Sequence, residues 1–285
     1  MLLYIKICYN EGNTNKRKDN ILKDWIYTDK LFCNDYKAVV LCEYTRELFL
    51  LREFIETAEK AVSRKENSSC HSYEGICYMF AKSIVEYAKM AYDNIILGHF
   101  FATHMIIRAM IENNVCLDIL YNDEKEELWK YYFVQSYRNS VMQAKEGLSQ
   151  KDEEFICKMY SDYDIQRTFY ENRGDKKAYI DMPYGWTYTI NKRFTFKGIC
   201  ELVNAGDYDD FSMMSDYSHG TSIYQKMGGG ICIEHIMSMI SSLYVGLYRL
   251  VTMYCRDCAD DTFDEVAEKI ENSICGALGI YNYIE

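Results

Sequence analysis

Apolar residues recur every three to four positions along most of this chain, and charged residues fill the positions between them. Within residues 37–65, for example, apolar side chains occupy positions 41, 48, 51, 55, 58 and 62. This spacing gathers the apolar side chains on one face of an α-helix, where they can pack against other helices. The pattern therefore predicts an all-α fold, a multi-helix bundle of about eight helices.

Capping residues and glycines indicate where the predicted helices begin and end. Ser72 is a suitable N-cap, Gly98 is suited to a helix C-terminus, and either Ser149 or Asp152 can open the fifth helix. The predicted helices cover residues 37–65, 73–96, 99–121, 124–148, 149–172, 195–204, 209–220, 231–255 and 260–283.

Two stretches lack the helical period. Residues 1–36 predict a short irregular or strand-like N-terminal arm, which we expect to pack on the main body or on a second subunit. Residues 37–285 are predicted to form a single helical-bundle domain. Within it, residues 173–193 form a connector that holds the only proline and an aromatic cluster, Tyr179, Tyr184, Trp186 and Tyr188. Connections this long are often functional, and the aromatic content favours an ordered one.

Composition narrows the classes of partner. One proline and 15 glycines in a chain that is 49% hydrophobic favour long helices over a many-stranded β-fold. The formal net charge is −11, which disfavours RNA, DNA and anionic membrane surfaces as partners. The uncharged run at residues 236–248 is too short to span a bilayer, so no membrane partner is expected.

The cysteines indicate a reducing compartment. All 12 are spread along the chain, and six lie inside helical patterns, namely Cys42, Cys77, Cys116, Cys157, Cys200 and Cys232. We interpret these six as small, reduced core residues rather than as a disulfide framework. The first nine residues are interrupted by Lys6 and lack the order of a signal peptide. Both observations predict a cytoplasmic protein.

Three polar residues stand out on the apolar third helix. His104, Arg108 and Glu112 are spaced four apart and therefore share one helix face. A buried arginine is costly unless it is paired, so one interpretation is an internal Arg108–Glu112 ion pair that fixes helix register. A solvated helix edge is a second interpretation. The third is a pocket in which Arg108 presents its guanidinium to an anion or a scissile phosphate.

A second polar pair lies near a predicted helix end. Ser215 and His219 are four residues apart, and Gly220 follows them. A histidine at a helix C-terminus is favoured by the helix dipole, which explains the pair without any function. Alternatively, His219 acts as a general acid or base, because its pKa lies near working pH. No third orienting group is evident, which argues against a catalytic triad.

The remaining motifs indicate no metal and no cofactor. Cys255 and Cys258 have a redox or metal spacing, but no second cysteine or histidine pair follows them. Glu234 and His235 lack the arrangement of a zinc protease. Glycines 228–230 precede a helix and are interpreted as a turn rather than an anion cradle.

Three motifs, taken in order, carry a resemblance to a known group. Arg108-x-x-x-Glu112, Pro183-Tyr-Gly-Trp186 and Ser215-x-x-x-His219 resemble a bacterial family of helical domains of unassigned function. The resemblance covers residues 100–220 and extends distantly to the HEPN bundles, which include metal-independent ribonucleases of defence and toxin systems. Those ribonucleases carry an arginine about four to six residues before a histidine. No arginine stands there before His219, so Arg108 and His219 would have to meet from different helices.

Three functions follow as hypotheses. The first is a polar pocket inside the bundle that binds a small or nucleotide-like ligand, with Arg108 and His219 at its centre. Its lining is predicted to include His104, Glu112, Trp186 and Ser215. The resemblance adds a bacterial stress or defence context.

The two alternatives belong to other classes. One is a metal-independent endoribonuclease in which Arg108 stabilises the phosphate and His219 moves the proton. The other is a non-enzymatic interaction module that forms a homo-oligomer, with the polar residues setting helix register only.

Overall fold

The computed structural model describes residues 44–277, with gaps at 68, 70, 145–146, 166–168, 173–174, 192, 204–205, 207 and 213–232. The predicted N-terminal arm, residues 1–36, lies outside this part of the chain. The division between this arm and the helical-bundle domain, placed at residue 37, therefore stays a prediction.

Eight α-helices with defined ends occupy the described residues, and the prediction of an all-α multi-helix bundle is confirmed. They are α1 Thr45–Ser63, α2 Tyr73–Leu97, α3 Phe100–Tyr121, α4 Leu128–Ala144, α5 Gln150–Asp162, α6 Phe196–Val203, α7 Ile233–Tyr254 and α8 Asp261–Ala277. Residues 208–212 are also helical. Two short strands, β1 Phe169–Asn172 and β2 Asp175–Ala178, form an antiparallel hairpin between α5 and α6.

Side-chain capping fixes several helix ends where the sequence predicted them. The Ser72 hydroxyl accepts a hydrogen bond from the Gly75 amide at 3.1 Å, which starts α2. Gly98 ends the same helix with φ of 76°, a left-handed conformation that glycine adopts without steric cost. At α5, Ser149 and Asp152 form a reciprocal capping box.

Four predicted boundaries are wrong. The first helix begins at Thr45 rather than near residue 37, and the fourth helix ends at Ala144 rather than near residue 148. The fourth helix begins at Leu128 rather than near residue 124, because the Asp123 carboxylate accepts the amides of Glu127 and Leu128 at 2.7 and 2.8 Å. The fifth helix ends at Asp162, ten residues before the predicted end at 172. Asp164 then adopts φ of 53°, and the chain continues into the hairpin.

The main core is built by α1, α2, α3, α7 and α8, which we call the five-helix core. Helix α7 packs against all four of the others. Fully buried side chains from α1 and α8 meet there, since the Phe54 ring stacks on Phe263 with centroids 5.1 Å apart. Burying one such side chain stabilises the fold by about 1.5–3 kcal/mol. The aliphatic interior of α3 and α7 completes the core.

One helix in the described part, the stretch Ile236–Tyr254 of α7, is long and apolar enough to cross a membrane. Half of that stretch is buried inside the protein, against the neighbouring helices of the five-helix core. A central core helix has the same length and composition, so the stretch is weak evidence for a membrane span.

A second, smaller core lies beside the first. Helix α4, helix α5, the hairpin and the connector residues 179–191 surround it, and we call this region the side lobe. Its buried hydrophobic residues are Val134, Ile156, Met159, Ile165, Ala178 and Ile180. Three aromatic residues, Tyr131, Phe133 and Tyr163, pack against both cores. The side lobe is thus joined to the five-helix core through aromatic rings.

Candidate functional site

Helix α3 carries the three polar residues singled out from the sequence. His104 is 3% exposed, whereas Arg108 and Glu112 are half-buried. The helix packs against α2, α6 and α7, so this polar face is surrounded by other elements rather than by solvent alone. His104 is therefore not on a solvated helix edge, whereas Arg108 and Glu112 are partly accessible to solvent.

Glu112 is bound by a residue from the connector. The Tyr184 hydroxyl donates a hydrogen bond to Glu112 Oε1 at 2.7 Å. Burial of the phenol and the neighbouring Glu112 carboxylate together raise the pKa of Tyr184 above its ordinary value, while Arg108 opposes that shift. Tyr184, Glu112 and Arg108 therefore form one electrostatically coupled group.

Arg108 has a different set of contacts. Its guanidinium carbon lies 4.4 Å from the centre of the Phe211 ring, within the range of a cation–π contact. Its Nε atom is buried and has no hydrogen-bond partner among the described residues. Within the same part of the chain, Arg108 and Glu112 form no salt bridge with each other. The predicted internal ion pair is absent there.

The connector that supplies Tyr184 is held by Gln135 of α4. The Gln135 amide nitrogen donates to the carbonyl oxygens of Ile180, Met182 and Pro183, and its Oε1 accepts the Trp186 amide at 2.8 Å. Gln135 itself is 3% exposed. A single buried side chain thus fixes the backbone on both sides of Tyr184.

An ion pair and a close backbone contact reinforce this arrangement. Arg138, one turn after Gln135, pairs with Asp181 at 2.6 Å. A Cβ at Gly185, the first residue of the 3₁₀ turn Gly185–Thr187, would lie 1.7 Å from the Tyr179 carbonyl oxygen, so only glycine fits at this position. The ion pair fixes the connector against α4, and the close contact fixes two parts of the connector against each other.

Trp186 lies in the core. It is 4% exposed, and its ring packs edge-on against Tyr132 with centroids 5.5 Å apart. The neighbouring cavity, lined by Tyr131, Tyr179 and Tyr188 among others, has a volume of about 10 Å³. That volume holds about one water molecule. Trp186 therefore supports the connector from inside rather than offering an open face.

Two uncharged side chains, Cys116 and Tyr132, lie near Glu112. Burial is the largest cause that raises the pKa of the Cys116 thiol, one turn after Glu112, and it raises that of Tyr132 to about 12. Both groups therefore stay protonated at neutral pH. Arg108 and Glu112 are the charged members of this cluster, which makes them the residues able to bind a charged ligand.

Ser215 and His219 lie outside the described residues. Along the sequence they follow Phe211, the ring that contacts Arg108, by four and eight residues. Whether the two polar pairs share one pocket stays a prediction.

Cysteine exposure differs in part from the prediction. Cys77, Cys116 and Cys200 are buried, as predicted for core thiols, but Cys157 is exposed on α5. Cys42 and Cys232 lie outside the described residues. No group of three or more His, Cys, Asp or Glu side chains arranged to hold a metal occurs in the described part of the chain.

Gln135, Tyr184 and Phe211 were not predicted as site residues. Tyr184 belonged to the aromatic cluster of the connector, which was a usable signal, whereas Gln135 is one polar residue on an ordinary helix and gave none. Comparison with known proteins found no matching family model, no similar curated protein and no similar solved structure.

Proposed function

We propose that this protein binds a small, anionic, nucleotide-like ligand through Arg108, inside the helical bundle. The observation that carries the proposal is the Arg108 guanidinium, which contacts an aromatic face while its buried Nε lacks a partner among the described residues. A buried donor of this kind costs free energy unless a ligand or another group accepts its hydrogen. The bacterial stress or defence context rests on the sequence resemblance alone.

The chemistry of the neighbouring residues supports a nucleotide-like ligand over a simple anion. A guanidinium binds phosphate through two parallel hydrogen bonds, while its planar face stays stacked on an aromatic ring. Glu112 supplies an acceptor one turn away, and its Oε1 is held by Tyr184. We expect Arg108 to bind the phosphate and the Glu112 carboxylate to accept a hydrogen bond from a sugar hydroxyl or a base amine.

Calorimetric titration of the full chain tests the proposal. AMP, ADP, ATP, adenosine and inorganic phosphate are titrated into the wild-type protein, the Arg108→Met variant and the Arg52→Met variant. Arg52 is the matched control, because it is an exposed arginine on α1 that pairs with Glu56 one turn away on the same helix. We expect a phosphate-bearing nucleotide to bind the wild type and the control equally.

The Arg108→Met variant should bind at least tenfold more weakly, which corresponds to about 1.4 kcal/mol or more. Circular dichroism checks that both variants keep the helical fold. If no nucleotide binds at millimolar concentration, or if Arg108→Met binds as tightly as the wild type, the proposal is wrong.

The ribonuclease alternative requires His219 to act beside Arg108. Purified wild-type protein is incubated with transfer RNA and messenger RNA in the presence of a chelator, next to Arg108→Met and His219→Ala. Cleavage by the wild type that both variants abolish would favour that alternative over simple ligand binding. Intact RNA in all three samples would remove it.

The oligomerising-module alternative makes the opposite prediction about the polar residues. If Arg108 and Glu112 only set helix register, replacing both with Met and Leu leaves folding and oligomeric state unchanged and affects no ligand. Light scattering coupled to size exclusion, run together with the titrations, distinguishes this outcome from a loss of binding.

A further inference from the structure

The turn between α7 and α8 brings two cysteines together. Cys255 follows the last residue of α7, and Cys258 ends the 3₁₀ turn Arg256–Cys258. The Cys258 amide donates to the Cys255 carbonyl oxygen at 2.9 Å, which closes a four-residue turn. The Cα atoms at the ends of such a turn lie within about 7 Å, and disulfides join Cα atoms about 4.4–6.8 Å apart.

The two thiols differ in access to solvent. Cys255 is fully buried and belongs to the five-helix core, whereas Cys258 is half-buried at its edge. Burial raises the pKa of Cys255 to about 12, while Lys65 acts in the opposite direction. Cys258 is thus the thiol that a small oxidant reaches first, and Cys255 is the thiol next to it inside the protein.

Ion pairs hold this turn against the end of α1. Lys65 pairs with Asp257 at 2.9 Å, Arg64 with Asp260 at 3.4 Å, and the Arg64 guanidinium also donates to the Cys258 carbonyl oxygen. Arg256 forms a two-pronged pair with Asp264 at 2.7 and 2.8 Å. These contacts keep the ends of the turn together while both cysteines are reduced.

We propose that Cys255 and Cys258 are a redox-active dithiol that hydroperoxides convert to an intramolecular disulfide. The Cys258 thiol gives up its proton to solvent, and the thiolate attacks the peroxide oxygen. The O–O bond breaks, a sulfenic acid forms at Cys258, and the hydroxide or alkoxide that leaves takes a proton from solvent. Cys255 then attacks the Cys258 sulfur as it loses its own thiol proton, the S–S bond forms, and the sulfenic hydroxyl leaves with that proton as water. Two thiols are oxidised and one peroxide is reduced.

A tryptic digest gives a direct readout, because Arg256 lies between the two cysteines. Folded full-length protein is treated with hydrogen peroxide, free thiols are alkylated, and the monomer is isolated under non-reducing conditions. Trypsin then separates residues 250–256 from residues 257–269 unless a disulfide joins them. We expect the joined pair in the monomer, lighter by two hydrogens than the sum of the two peptides, and separate peptides after reduction.

Two variants and one control thiol test the order of events. Cys255→Ala should accumulate a sulfenic acid at Cys258 that dimedone traps, while Cys258→Ser should leave Cys255 unoxidised. Cys77, a buried thiol of the same core, should stay alkylatable after denaturation in every sample. Two separately alkylated peptides in the peroxide-treated monomer, or a disulfide from Cys255 to Cys77 instead, would overturn the proposal.

Discussion

The five-helix core and the side lobe are stabilised by different kinds of contact. In the core, aliphatic and aromatic side chains fill the interior, and many of them have no exposed surface. Among the described residues the side lobe has a hydrophobic centre of six buried side chains, and it relies on individual polar contacts, above all those of Gln135. Tyr184, which reaches the Arg108 site, comes from the connector that those contacts hold.

This difference predicts different responses to mutation. Many small packing contributions share the stability of the core, so a single change there is partly absorbed by its neighbours. The side lobe concentrates several backbone hydrogen bonds on Gln135. Its loss removes the acceptor of the buried Trp186 amide and a donor to the buried Ile180 carbonyl at once. The following variants test that comparison.

Gln135→Leu should have the largest effect. The change leaves the Trp186 amide without its acceptor and removes the donor shared by the carbonyls of Ile180, Met182 and Pro183. At about 1–3 kcal/mol for each unsatisfied buried group, partly offset by relaxation, we expect a loss of about 4 kcal/mol in the free energy of unfolding.

Urea unfolding measures the total loss for Gln135→Leu, and hydrogen exchange shows whether the connector amides open first. Gln143→Leu, on an exposed position of the same helix, is the control and should change stability by less than about 0.5 kcal/mol. Equal effects of the two variants would contradict the central role of Gln135.

Asp118→Asn should have the next largest effect. It removes one ion pair of the five-helix core, which can then be compared with one ion pair of the side lobe. Asp118 pairs with Arg249 between α3 and α7, and the two side chains are only 14% and 17% exposed. Removing the carboxylate charge leaves Arg249 with a weaker partner, at a cost of about 2 kcal/mol.

The matched variant in the lobe is Asp181→Asn. Its partner is Arg138, and the Asp181 side chain is 33% exposed, so screening by water should limit the cost to about 1 kcal/mol. Thermal and urea unfolding of both variants measure the difference. A larger loss for Asp181→Asn would show that the lobe depends on this ion pair as well as on Gln135.

Tyr184→Phe tests the contact between the lobe and α3. Loss of the hydrogen bond to Glu112 should cost about 1.5 kcal/mol at neutral pH, since the acceptor is charged but half-buried. The pKa of Tyr184 is raised above 10.0, so the folded state retains a proton that the unfolded state releases. The wild type should therefore lose stability as the pH rises above 10.

In the Tyr184→Phe variant that loss with pH should be shallower by up to about 1.4 kcal/mol per pH unit, the slope for one proton. Unfolding free energies measured between pH 7 and about 11 give both slopes. Tyr254→Phe, in the five-helix core, is a positive control: the pKa of Tyr254 is also raised, so this variant should make the loss with pH shallower as well. If the unfolding free energies of the wild type and of Tyr184→Phe fall equally steeply with pH, the buried contact of Tyr184 with Glu112 is contradicted.

The sequence predicted the core well and the lobe poorly, for a physical reason. Residues 73–97 carry a helical period, an N-cap at Ser72 and a terminal Gly98, and all three agree with the structure. After Asp162 the outcome depends on a hairpin and on contacts from a distant glutamine, which no local period encodes. His104, Arg108 and Glu112 were found because polar residues on an apolar helix are conspicuous. Their partners Tyr184 and Phe211 are distant in sequence, so only the fold reveals them.

Gly246→Ala should have the smallest effect and examines how closely the core is packed where α7 crosses α3. A Cβ at Gly246 would lie 2.5 Å from Met110 Cε and 3.3 Å from Asn114 Nδ2. Met110 is fully buried, but its methyl group is the flexible end of a long side chain and can move. Alanine also gains helix propensity of about 0.8–1 kcal/mol over glycine.

The overpacking cost of about 1–3 kcal/mol should exceed that gain, so we expect Gly246→Ala to lower the free energy of unfolding by about 1 kcal/mol. Gly276→Ala is the matched control, because it lies on α8 and, among the described residues, no atom comes within 4 Å of the added Cβ. It should stabilise the protein by about 0.5 kcal/mol through propensity alone. If Gly246→Ala lowers the free energy of unfolding and Gly276→Ala raises it, the core is close-packed at the α3–α7 crossing. If both substitutions raise it, the side chains at that crossing can move aside to accommodate an added methyl group.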